Sequence, residues 1–163
     1  MENMESYTRR LQCTDEEREV CLKTVVKLYQ LRLHAVRNGF LSLEVPAETE
    51  PDPFFRVCLL ELAELWWDPD GLERLLENYL LAGDYQGGAF LNAVLIVRGI
   101  VLLARRGKDD YNGNADDSLQ KDWDDTLSEA TRGYFGVEYR EKVMTVIKQA
   151  ARAGLSEEVP ECT

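Results

Sequence analysis

Apolar residues along this chain return at intervals of three and four, and most runs of them open on a polar cap and close near glycine. Thr14-Asp15-Glu16-Glu17 sets a capping hydroxyl before three acids, with Glu17 in capping-box position, so a first helix is predicted over 15–38. Cys21, Val25, Leu28, Leu31 or Arg32, and Ala35 mark its apolar face, and Asn38-Gly39 supplies a left-handed stop. Phe40 to Leu43 begins a short apolar segment. Pro46, Pro51 and Pro53 then bias the residues before them toward extended geometry, which predicts a loop with an anchored start. Asp52 caps a second helix with Pro53 at its first position, running to about Trp66. Asp68-Pro69 repeats that grammar and opens a third helix, whose stripe of Leu72, Leu75, Leu76, Tyr79 and Leu80 ends before Gly83.

A fourth helix over 88–106 is apolar on nearly every side, the pattern of a central core helix. A polar, Gly/Asn-rich connection over 108–118 follows, then two helices over 119–132 and 138–153, with Gly133 and Gly154 just beyond them. No alternating strand pattern and no fixed-period repeat is present in the sequence. The expected fold is all-α, a single-domain bundle of about six helices over 14–154. A flexible N-terminal tail at 1–13 and a C-terminal tail at 155–163 flank it.

Length and composition agree with this picture, since 163 residues of 45% apolar content suit one domain with one substantial core. Thirty acidic against nineteen basic side chains give a net charge of −11, which disfavours nucleic acid or an anionic membrane as partner. The acidity fits either a basic partner surface or simple solubility. The amino terminus lacks the basic start and apolar core of a secretory signal. The apolar run over 89–104 contains Asn92 and Arg98 and falls short of the ~20 residues of a spanning helix, so no membrane insertion is expected.

Cys13, Cys21, Cys58 and Cys162 lack Cys-x-x-Cys pairing, and His34 is the sole histidine, so no zinc set assembles. Reduced thiols and a cytoplasmic location follow as expectations. Asp109 to Asp117 has the flavour of a calcium loop, but with Gly113 at the turn Lys108 falls where the first carboxylate belongs and Leu119 where the last does. No metal or cofactor is expected, and no catalytic residue is nominated. His34 suits capping or surface packing near its helix end. Glu61 and Glu64 are either a solvated helix edge or a carboxylate pair. Trp66 and Trp67 lie about 100° apart around a helix, so one indole is either exposed as an interface anchor or closes the helix end.

Across 37–81, Arg37, Gly39, Phe40, Leu41, Leu43 and Glu44, then Asp52, Pro53, Phe54 and Arg56, then Asp68 and Asp70 stand in a recognisable order. That order resembles the cytoplasmic segment between membrane spans in the MotA/TolQ/ExbB proton-channel family, the flagellar stator branch above all. The resemblance implies a protein-contacting surface, with Arg37 and Glu44 as the charged pair that faces the partner. It does not carry proton conduction. The family's long membrane helices are replaced here by Gln86-Gly87-Gly88 and a helix bearing Arg98, and the family's Glu-Gly signature is only loosely echoed by Arg98-Gly99 and Gly107.

Two functions are therefore expected in order. The first is a soluble cytoplasmic protein–protein interaction module, with Arg37, Glu44, Arg56 and Trp67 as contact residues and another protein, or a second copy, as partner. The second is a small ligand- or metal-binding regulator or enzyme that uses an acidic site from Glu61, Glu64, Asp109 or Asp110.

Overall fold

A computed structural model describes the backbone of residues 9–109 and 117–156 and the side chains of 9–108 and 123–153. Within those residues every regular element is helical. α1 spans Asp15–Asn38, a 3-10 turn covers Phe40–Leu43, and α2 is Glu44–Thr49. α3 is Pro53–Leu65, α4 Pro69–Ala82, α5 Gly88–Asp109 and α6 Asp117–Thr131. Two 3-10 turns, Arg132–Phe135 and Val137–Tyr139, lead into α7, Arg140–Ser156. The all-α bundle expected from the sequence is the fold, with seven α-helices between 15 and 156 among the described residues.

α2 stands where the sequence predicts a loop, and Pro46 explains why it escapes a reading by proline position. Pro46 is the third residue of α2, where backbone N–H groups have no intrahelical acceptor, so the missing donor costs nothing. Gly154 likewise does not end the last helix, which continues to Ser156. The caps read from the sequence are present. Thr14 Oγ1 accepts from Glu17 N at 3.1 Å and Glu17 Oε1 accepts from Thr14 N at 3.0 Å, while Gly39, at φ 85°, donates to Ala35 O.

α5 is the axis of the fold. α1, α3, α4 and α6 pack around it, and α7 closes over α1. Phe90, Leu91, Val94, Leu95, Ile96, Val97 and Ile100 are fully buried. By length and composition α5 would serve to cross a membrane, and 72% of its apolar window is buried by its own chain.

Close approach to α5 depends on glycine at two points. A Cβ on Gly99 would lie 2.4 Å from Leu28 Cδ1, and one on Gly107 would lie 2.2 Å from the Phe40 ring. Both residues of the loosely echoed family signature thus have a packing role. Residues 9–13, assigned to a flexible tail by pattern alone, are held in place over 9–12. Arg10 donates to the carbonyls of Gly83 and Tyr85, accepts from Gly87 N at 2.9 Å and lies 4.2 Å above the Phe90 ring.

Candidate interaction surface

Where α1 ends at Asn38–Gly39, the chain enters the 3-10 turn with Phe40 pointing inward. Its ring stacks on Trp66 at 5.3 Å and rests against Gly107, so the turn is pinned between α3 and α5. Ser42 Oγ donates to Gly39 O at 2.5 Å, and the His34 ring nitrogen lies 3.4 Å from Ser42 O. His34 therefore braces the turn, in line with its packing reading. Fixing Phe40 inward leaves Leu41 68% exposed on the opposite side.

α2 is held by Glu50 just past its C-terminus. The Glu50 carboxylate is 8% exposed and accepts from Lys27 Nζ at 2.9 Å and Asp52 N at 3.0 Å. Its carbonyl accepts from both Nε (3.1 Å) and Nη2 (2.9 Å) of Arg56. Asp52 in turn caps α3 through Phe54 N and receives Asn92 Nδ2 at 3.1 Å on its other oxygen. That bond explains the polar Asn92 in an otherwise apolar helix: it ties the start of α3 to the core.

Of the four contact residues expected from the sequence, Arg37 and Glu44 are exposed at either end of the turn. They are not paired with each other among the described residues. Arg56 is exposed but already has two N–H groups committed to the Glu50 carbonyl, so it also closes the α2–α3 connection. Trp66 is the inward indole and Trp67 the outward one, 58% exposed, with Nε1–H donated to Glu64 O at 3.1 Å. Trp67 thus combines both readings: it caps a terminal carbonyl of α3 and presents its ring.

Sequence reading missed the apolar members of this surface. Val36, Leu41, Val45, Val57 and Leu60 are between 39% and 68% exposed. For Val57 and Leu60 the signal lay in the helical phase of α3, since the exposed positions within 53–67 are Pro53, Arg56, Val57, Leu60, Glu64 and Trp67. A helix whose apolar residues occur all round its axis hides such a face until its neighbours are known.

Of the acidic-site alternative, the side chains of Glu61 and Glu64 fall within the described residues. Glu61 is half-buried, and burial followed by the neighbouring Glu64 charge raises its carboxyl pKa. Neither residue lines the two clefts beside α1. Asp110 and the side chain of Asp109 lie outside the described residues, as do the rest of the acidic connection to 116 and Cys162. The larger cleft, about 500 Å³, is bordered by Thr24, Lys27, Asp52, Phe55 and Asn92, and the smaller, about 250 Å³, by Leu31, Pro46, Phe55 and Leu59. The Lys27–Glu50 pair lines both. Among the described residues no three His, Cys, Asp or Glu side chains are grouped to hold a metal ion.

Burial raises the Cys21 thiol to about 12 and pushes Cys58 up as well, so both are protonated small apolar groups. No protein-family model, curated protein or solved structure matches this chain.

Proposed function

We propose that this protein is a helical protein-interaction module. Its contact surface runs from the C-terminal end of α1 through the 3-10 turn and α2 onto the outer face of α3. The observation that carries this reading is a concentration of apolar surface. Of ten large hydrophobic side chains that are exposed among the described residues, six fall within 36–67: Val36, Leu41, Val45, Val57, Leu60 and Trp67. The 3-10 turn touches α1, α2 and α3, so the elements that carry or adjoin these residues are neighbours. Single exposed apolar residues are ordinary, whereas a cluster with a polar rim marks a protein contact.

The anchoring described above supports the same reading, because a surface already fixed loses little freedom on binding. The likeness of 37–81 to a stator cytoplasmic segment nominates Arg37 and Glu44 as the charged rim. On this reading the protein is soluble and cytoplasmic, in keeping with the thiol usage and acidic balance of its sequence.

Capture from an extract of the source cells tests it. Wild type is expected to retain a specific protein that Arg37→Glu/Glu44→Lys and Trp67→Ala lose while their helical circular dichroism persists. Unchanged capture by both variants contradicts the assignment. The cleft bordered by Thr24, Asp52 and Asn92 favours a second reading, as a site for a small polar ligand. That reading requires a metabolite that raises the melting temperature of wild type and not of Asn92→Leu.

A further inference from the structure

Apart from Val57, the exposed positions of α3 and of the turn that follows it are spaced symmetrically about one residue. Leu60 is at the centre, Arg56 and Glu64 stand four residues to either side, and Pro53 and Trp67 seven to either side. All five are exposed. We propose that this face pairs with the same face of a second copy of the chain, antiparallel across a two-fold axis at Leu60. In that arrangement Arg56 of each copy meets Glu64 of the other, Pro53 meets Trp67, and the two Leu60 side chains meet each other. An isologous contact requires this self-complementarity, and a face of one charge sign would oppose it.

The groups are prepared for burial. Trp67 Nε1–H is already satisfied by Glu64 O, so covering the indole strands no donor. Arg56 is held in place by the Glu50 carbonyl and keeps further N–H groups for a carboxylate. The proposal rests on reading the 36–67 region as a contact surface and names one occupant for its α3 side. Arg37 and Glu44 remain available to a different protein.

Sedimentation of the purified full chain tests it, with substitutions at the axis. Leu60→Asp and Leu60→Lys touch no cap or hydrogen bond, and each places like charges face to face in a pair of identical copies. Wild type is expected at the mass of two chains. Each variant alone, and Glu64→Arg as an independent disruption, is expected at the mass of one. An equimolar mixture of Leu60→Asp with Leu60→Lys returns to two, because opposite charges then meet on the axis. Circular dichroism confirms that each variant is folded.

Wild type that stays at one chain mass up to ~1 mM, a concentration at which only contacts weaker than millimolar escape detection, overturns the proposal. So does a dimer that persists in the single variants, or a mixture that stays monomeric. A monomeric wild type leaves the capture experiment unaffected, so failure of self-pairing is distinguishable from failure of the surface reading.

Discussion

α3 and α5 are both rich in apolar residues, yet they meet opposite fates. α5 is enclosed by α1, α3, α4 and α6, and 72% of its apolar window is buried. α3 buries Phe54, Phe55, Cys58, Leu59, Leu62 and Ala63 and leaves Val57 and Leu60 at 40% and 39% exposure beside Trp67. The difference teaches that apolar content locates a helix near the core, while the number of neighbours decides whether a face remains for another molecule.

The sharpest way to break this contrast is to truncate one apolar side chain on each helix. Phe90→Ala empties a fully buried site on α5 and is expected to cost about 3–5 kcal/mol. Leu60→Ala on α3 is expected to stay within about 0.5 kcal/mol at concentrations where the chain is monomeric. Denaturant unfolding measures both, and similar losses would erase the distinction. Gly99→Ala comes next. Replacing glycine inside a helix normally stabilises by about 1 kcal/mol, but here the methyl meets fully buried Leu28, which has no room to swing away. The sign is expected to reverse, with a loss of about 1–3 kcal/mol. A gain would show that α1 and α5 are less closely packed.

Glu17→Gln addresses the smallest effect. Backbone hydrogen bonds from Thr14 and Gly88 hold the Glu17 carboxyl pKa below its ordinary 4.5, so one side chain caps both α1 and α5. A lowered folded-state pKa means stability that is fully present above 4.5 and lost as pH falls from there through the folded value. Acid titration of unfolding is expected to show a shallower loss over that interval in Glu17→Gln than in wild type. Identical slopes would remove Glu17 from the link between the helices.

Helix starts and stops were legible because their signals are local. Thr14 with Glu17, Asp52 before Pro53 and Asp68 before Pro69 each satisfy their own backbone within three residues. α2 was not legible, because a proline in the first turn is written the same way as a proline in a loop. At the candidate surface, Arg37 and Glu44 are exposed, as charged residues usually are, and of the Trp66–Trp67 pair the second indole is exposed. The double bond from Arg56 to Glu50 and the exposed Leu41, Val45 and Leu60 depend on how α2, the 3-10 turn and α3 pack together, and no short motif encodes that.

Oxidative footprinting tests the central claim, that the 36–67 region is a protein-contact surface, in one comparison. Val137, 92% exposed and remote in sequence, serves as an internal reference against Trp67 and Leu41. Dilute purified protein and protein in an extract of its source cells are exposed to the same dose of hydroxyl radical. Trp67 and Leu41 are expected to become protected in the extract relative to Val137. Oxidation of all three in unchanged proportion would contradict it.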